Sequence, residues 1–249
     1  MPVVWTTGFL DLPASVHTRG TAFWCAVAAA TPSALRGYDG QFATLVPPDG
    51  DAFLRAQRRG NTPRVHVDLH VDDVEAEASR ASGLGARVLL HERHVVLRSP
   101  GGFVHCLVRD GGERTRPAPV TGPLGGTARV DQVCLDVPSA LLAVERAYWT
   151  GLTGWPGHTG SRIEFTVLNR PAGVPLRFML QELGADDRRT EVTAHLDVAC
   201  GPGVEAVAAE HRALGAHVAG TQHPWTVMRD PAGLTYCLTP RDPVTGLLG

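Results

Sequence analysis

A chain of 249 residues, 43% hydrophobic and 19% charged, can bury the core of one large or two ordinary domains and is not a disordered tract. A formal net charge of −2, with Arg55 to Arg59 as the densest basic run, leaves no electrostatic footprint for nucleic acid. No apolar run approaches the roughly 18 residues of a membrane span, and the leader MPVVWTTGFLDLP lacks the basic start and apolar centre of a signal peptide. The five cysteines, Cys25, Cys106, Cys134, Cys200 and Cys237, are odd in number and never spaced as CxxC. Reduced thiols in a cytoplasmic protein are therefore expected rather than a disulfide framework.

In chain order, FLDLP at Phe9 predicts a strand, the segment around Trp24 a helix, and the residues leading to Gln57 further strands. A second strand, RVHVDLHV from Arg64, alternates with period two. Val65, Val67, Leu69 and Val71 share its apolar face, and His66, Asp68 and His70 share the polar one. Asp72 and Asp73 can cap the helical run that starts at Val74, and Gly85 supplies its stop. β segments, a tight turn at Ser99-Pro100-Gly101-Gly102 and a last strand VHCLV follow. Gly111 to Thr127 has the Pro/Gly/Thr/Arg composition of a linker.

The same series then recurs. CLDVP at Cys134 matches FLDLP, Tyr148-Trp149 matches Phe23-Trp24, and Gln181 matches Gln57. TAHLDVACGP matches RVHVDLHVDD, with His195 standing 129 residues after His66. Leu214-Gly215-Ala216 repeats Leu84-Gly85-Ala86, Asp230-Pro231-Ala232-Gly233 repeats the turn, and YCLT repeats HCLV. The reading is two domains, 1–112 and 125–249, joined by a linker at 113–124. Each divides into two βαβββ halves, an α+β class.

This ordered set, above all AYWTGLTGW, HLDV and MRDPAGLTYCLT in the second copy, resembles the vicinal oxygen chelate superfamily of glyoxalases, bleomycin-resistance proteins and extradiol dioxygenases. The resemblance covers nearly the whole chain. It implies that each domain pairs its βαβββ units into an incomplete barrel, with helices on one sheet face and a cup-shaped cavity on the other. Metal-using members of that superfamily hold a divalent ion with His and Glu side chains at four slots. Here the resemblance puts Gln132, Gln181, His195 and Cys237 in those slots of the second copy, and Thr7, Gln57, His66 and Cys106 in those of the first. One His per cup with amide, hydroxyl or thiol partners is a poor set for a hard divalent ion, so no metal ligands and no cofactor are expected. A divalent metal is the lesser alternative, with His70, Asp68 or His105 recruited; alternation points His105 away from the cup.

The expected function is the binding of a small organic metabolite or drug without the standard metal site. The alternative is a glyoxalase-like lyase, an isomerase or an extradiol-type dioxygenase that uses a divalent metal or histidine acid/base chemistry. His195 and His66 are the candidate acid/base residues; each reads equally as a polar residue of a half-buried strand. Candidate ligand contacts are Gln132, Gln181, Cys237, Trp225, Asp197, Gln57, His70 and Cys106. Trp225, beside Pro224 ahead of the last hairpin, is expected at a cavity rim, whereas Trp24 and Trp149 are expected in the core. Asp11 and Asp136 are expected to hydrogen-bond the turns that follow them. His91-Glu92-Arg93-His94 is not HExxH and reads as an exposed polar patch; GxGxxG, GxxxxGK[ST] and GxSxG are absent. The partner is then a small molecule, not nucleic acid or membrane, and the chain is a monomer with two pseudo-equivalent domains or a homodimer.

Overall fold

Period-two segments become strands and the capped runs become helices in the computed structural model, which describes residues 3–248. The first copy contributes β1 (Trp5–Leu12), α1 (His17–Val27), β2 (Thr31–Pro32), β3 (Phe42–Val46) and β4 (Leu54–Arg58). Its second half adds β5 (Arg64–Val71), α2 (Val74–Gly83), β6 (Arg87–His91), β7 (Val95–Arg98) and β8 (Val104–Arg109). After a short β9 (Val120–Thr121), the second copy supplies β10 (Thr127–Val137), α3 (Leu142–Thr153), β11 (Gly157–Thr159), β12 (Phe165–Leu168) and β13 (Arg177–Glu182). It ends with β14 (Thr193–Ala199), α4 (Val204–Ala213), β15 (His217–Gln222), β16 (Trp225–Arg229) and β17 (Thr235–Thr239).

The two sheets have one topology. The first runs β2-β3-β4-β1-β5-β8-β7-β6 and the second β11-β12-β13-β10-β14-β17-β16-β15, with β9 paired to β10. Each begins and ends on an edge strand, so neither closes into a barrel. The pairs β5/β8 and β14/β17 are parallel, and the hairpins around them are antiparallel. An identical strand permutation is what two diverged copies of one module should give. No helix among the described residues is long and apolar enough to cross a membrane.

Packing divides the molecule differently from the chain. One compact unit takes the leading residues through Gly8, His66–Arg114 and Val133–Ala194; the other takes Phe9–Val65, Thr115–Gln132 and the residues from His195 onward. In the first unit, Trp149 of α3 is fully buried, stacks on Phe178 with centroids 5.0 Å apart and lies 5.0 Å from His105 of β8. In the second, Trp24 of α1 packs edge-on against Tyr236 of β17 at 5.2 Å. Each tryptophan also holds a turn. Trp24 Nε1 donates to Asp230 Oδ2 at 2.8 Å, and Asp230 Oδ1 accepts from the Ala232 and Leu234 amides. Trp149 Nε1 donates to Glu145 Oε2 at 2.8 Å, and Glu145 accepts from the Gly101 amide of the first copy's turn. The carboxylate that the tryptophan meets thus belongs to the turn in one unit and to the tryptophan's own helix in the other. Gly101 has no room for a side chain: a Cβ there would stand 2.7 Å from Val192 and 2.8 Å from Glu145.

Asp73 caps α2 as its position predicts, accepting from the Ala76 amide at 3.0 Å. Asp73→Ala is expected to cost about 1 kcal/mol of stability in a urea titration. Asp11 and Asp136 find longer-range partners than the turns expected for them. Asp11 accepts from Arg64 Nε at 2.9 Å and Asp136 from Arg189 Nη1 at 3.0 Å, in each case an arginine near the start of the copy's second half. An arginine's reach and charge outweigh a local turn bond. All five cysteines are buried thiols outside any disulfide.

Candidate functional site

The parallel pair β14/β17 sets Asp197 opposite Cys237, and β5/β8 sets Asp68 opposite Cys106, the same register in both copies. Period two puts His195 beside Asp197, while Leu196 and Val198 turn to the other face and are fully buried. That other face carries Tyr236, whose hydroxyl meets His211 Nδ1 of α4 at 2.9 Å. The His195/Asp197/Cys237 face is therefore the one turned away from α4. In the first copy, His105 Nε2 bonds the Tyr148 hydroxyl at 2.8 Å, so Cys106, its neighbour, looks the opposite way.

Around the second copy's polar face, six side chains form one chain of contacts. His195 Nε2 lies 3.3 Å from Asp197 Oδ1, with the imidazole 12% exposed. The Gln132 amide donates to Asp197 Oδ2. Arg241 Nη1 donates to Gln132 Oε1 at 2.7 Å, and its Nη2 donates to Asp131 Oδ1 at 2.7 Å and stands 4.0 Å from Asp197 Oδ2. Its Nε donates to Thr239 Oγ1 at 3.1 Å. Arg241 is 3% exposed and Asp131 is fully buried, so this ion pair is an interior one. One guanidinium thus neutralises Asp131, orders Gln132 and sets a positive charge beside Asp197.

The first copy has diverged at the same place. His66 Nε2 is 3.7 Å from Asp68 Oδ1, and Thr7, the counterpart of Gln132, bonds His70 Nε2 at 2.9 Å. His70 Nδ1 lies 3.4 Å from Glu113 Oε2. Where the second copy has Arg241, the first has Asp110 (each four residues beyond the last-strand cysteine), and Arg114 holds that carboxyl down to about 2 by hydrogen bonding. The charge at this position is inverted between copies.

Several ligand-capable groups converge. His195, Asp197 and Cys237 each offer one atom within 4.8 Å of the others; so do His66, Asp68 and Cys106, and so do His70, Asp110 and Glu113. The first two sets mix nitrogen, oxygen and sulfur, a combination that suits zinc and not the hard His/carboxylate set of the superfamily. At the Gln132 slot the amide is already spent between Asp197 and Arg241, and the cation beside Asp197 opposes a dication on that carboxylate. The standard ligand set does not fit these residues. Of the other expected contacts, Gln181 of β13 accepts from Cys134 Sγ at 3.6 Å. Gln57 is 5% exposed on β4, opposite Phe42. Trp225 is half-buried, opens β16 and lies two residues before Val227, the register partner of Cys237; it therefore shares the Cys237 face. Asp131 and Arg241 were not foreseen, because Asp131 is on the opposite parity from Gln132 and Arg241 lies beyond the last strand in TPRDP, where a charge reads as solvated.

A family model described as a glyoxalase-like domain matches residues 9–108 and 132–239. No curated protein sequence matches the chain. Among solved structures, a mutant of 4-hydroxymandelate synthase from Streptomyces coelicolor superposes with a TM-score of 0.64 at 15% identity, covering 96% of this chain and 92% of that one. The 2,2',3-trihydroxybiphenyl 1,2-dioxygenase of Sphingomonas wittichii strain RW1 gives 0.61 at 17% identity, covering 95% and 89%. An extradiol ring-cleaving dioxygenase from B.fuscum gives 0.62 at 11% identity, covering 99% and 75%. These likenesses establish fold. With two model matches spanning most of its length, a duplicated strand order and two open sheets, the chain belongs to the glyoxalase-like domain family of the vicinal oxygen chelate superfamily and carries that domain twice.

Proposed function

We propose that the protein binds a small organic molecule on the polar face of its second sheet and does so without the superfamily's standard metal. The observation that carries this reading is the Arg241–Gln132–Asp197 chain, in which a slot for a metal donor holds an amide fixed by a guanidinium and a carboxylate. An imidazole, a thiol and the Trp225 indole on the same face offer a few polar anchors and an aromatic wall. The reading keeps the domains at 1–112 and 125–249, supported by one sheet per copy, and a cytoplasmic location, supported by five thiols outside any disulfide. It leaves a monomer and a homodimer as the two assemblies.

A second reading has one observation of its own. Asp197 Oδ1 stands 3.3 Å from His195 Nε2, within ion-pair reach of a histidine that gains a proton, and His66 and Asp68 repeat the pair at 3.7 Å. That favours a lyase, isomerase or dioxygenase, with the histidines holding or moving a proton.

Metal analysis separates the readings. Protein purified without chelator and incubated with Fe(II), Ni(II) or Zn(II) is expected to retain less than about 0.2 equivalent per chain after desalting. Stoichiometric retention that disappears in His195→Ala would overturn the metal-free reading. Quenching of tryptophan fluorescence by members of an aromatic-metabolite panel, weakened in Gln132→Ala, is the expected sign of binding.

A further inference from the structure

β3 and β4 run antiparallel, with Thr44 opposite Arg55 and Phe42 opposite Gln57. Ala43, Leu45, Leu54 and Ala56 alternate with them and are each at most 2% exposed. Leu45 and Leu54 border Val27 at the end of α1, so this apolar face is the one against the helix. Alternation turns Phe42, Thr44 and Arg55 to the other face, where each keeps partial access to solvent.

The loop ahead of β3 brings a second arginine to that face. Arg36 and Phe42 exchange both backbone hydrogen bonds, each at 3.0 Å. Gly37 follows with φ +80°, and a Cβ there would stand 2.6 Å from the Phe42 ring, so only glycine lets the loop lie this close. The Arg36 guanidinium donates to Ser33 Oγ at 3.1 Å and to Thr44 Oγ1 at 2.6 Å. Thr44 therefore has Arg36 bonded to its hydroxyl and Arg55 across the ladder. The Arg55 guanidinium lies over the Phe9 ring of β1, 5.7 Å from its centroid, and Phe9 meets Phe42 edge-on at 6.3 Å.

Neither arginine has a carboxylate partner among the described residues. Asp11, two residues beyond Phe9 on β1, is held by Arg64 at 2.9 Å. Arg55 makes no hydrogen bond within the protein; its Nε is closed off, whereas its two terminal nitrogens reach solvent. Burial and the charge of Arg55 both lower the Arg36 pKa, so the two cations repel each other. The Thr44 hydroxyl accepts from Arg36 and has its own proton left to give. The array thus offers donors and positive charge, open to solvent, and no acceptor. Its complement is an oxyanion, which would relieve the repulsion and match the fork of a guanidinium.

We propose that Arg36 and Arg55, with the Thr44 hydroxyl, bind an oxyanion, the carboxylate or phosphate group of a small molecule. This site is on the first sheet and stands independently of the one proposed on the second. NMR titration of the isotopically labelled full chain with sodium benzoate and with sodium phosphate tests it. Sodium chloride at the same ionic strength, about 0.01 M, is the blank, because surface charges are little screened there. At least one anion should shift the Thr44 and Arg55 amides to saturation below about 10 mM. Saturation by benzoate alone identifies a carboxylate as the ligand group, by phosphate alone a phosphate, and by both a site that reads only the oxyanion. Arg55→Gln should weaken the binding by about tenfold, the scale of one charge-assisted hydrogen bond. Its thermal midpoint should stay close to that of the parent, since Arg55 donates to nothing in the protein. No saturation by either anion, parental affinity in Arg55→Gln, or equal shifts of the same amides by chloride would each overturn the proposal.

Discussion

Replacing Arg241 with leucine is expected to cost about 3–5 kcal/mol of folding stability, the usual penalty for stripping one partner from an interior ion pair. The expectation follows from what remains. Asp131 is fully buried and loses the guanidinium 2.7 Å from its Oδ1, and the Gln132 carbonyl loses its donor at 2.7 Å. A buried carboxylate that loses its ion-pair partner is destabilised even with Arg116 and Arg129 still attracting it. The double variant Asp131→Asn/Arg241→Leu should recover much of the loss, since it removes the buried carboxylate charge as well as its partner. A surface pair is the internal control. Arg98 and Glu191 are 3.4 Å apart with side chains 41% and 57% exposed, and Arg98→Ala should cost no more than about 1 kcal/mol. Urea titrations of the four proteins decide the matter. A loss below about 1 kcal/mol for Arg241→Leu would mean that the network is hydrated and contributes as a surface pair does.

The contrast between Arg241 and Asp73 shows what a sequence discloses. Asp73 caps a helix whose first turn lies three residues away, so residue type and spacing were enough to find it. Strand faces were legible for the same reason: period two alone sets Val67 against His66 and Leu196 against His195. The repeat was legible because turns such as DPAG and helix ends such as LGA are fixed by local backbone geometry. Arg241 meets Gln132 across 109 residues, and no periodicity links a residue past the last strand to one in the middle of β10. That each compact unit draws segments from both copies was hidden likewise. Local pattern shows that α1 has an apolar face bearing Trp24, but not that the face packs on Tyr236 of the other copy. The linker's composition gave no sign that its Thr115 and Ala118 amides bond the Asp51 and Asp49 carboxylates, more than sixty residues back.

Acidification between about pH 6.5 and 4 should destabilise the protein steeply, through two histidines that no proposed site uses. His105 and His211 are both held down to about 4, chiefly because burial penalises the imidazolium. Each spends a ring nitrogen on a tyrosine hydroxyl, Tyr148 and Tyr236, so the neutral ring is the form the core is built around. A depressed native pKa means that the unfolded chain, titrating near 6.5, binds more protons than the folded one throughout this window. The stability contributed is complete above 6.5 and is lost as the pH falls towards 4. At about 1.4 kcal/mol per pH unit, each histidine accounts for up to roughly 3 kcal/mol. Glu145 and Asp230 act with the opposite sign. Burial raises both, so the folded state takes up their protons first and gains stability on acidification, which subtracts from the histidine slope. Asp110 and Asp187, pulled to about 2 by Arg114 and Arg189, act only below the window. His105→Gln and His211→Gln keep a hydrogen-bonding amide at each tyrosine and remove the titration. Urea titrations at about pH 7.5, 6 and 4.5 should show the wild-type dependence reduced by close to one proton in each variant, and in the double variant only the opposite slope left by Glu145 and Asp230. If all four proteins lose stability in parallel as the pH falls, the acid sensitivity comes from elsewhere in the chain and the buried histidines are not its source.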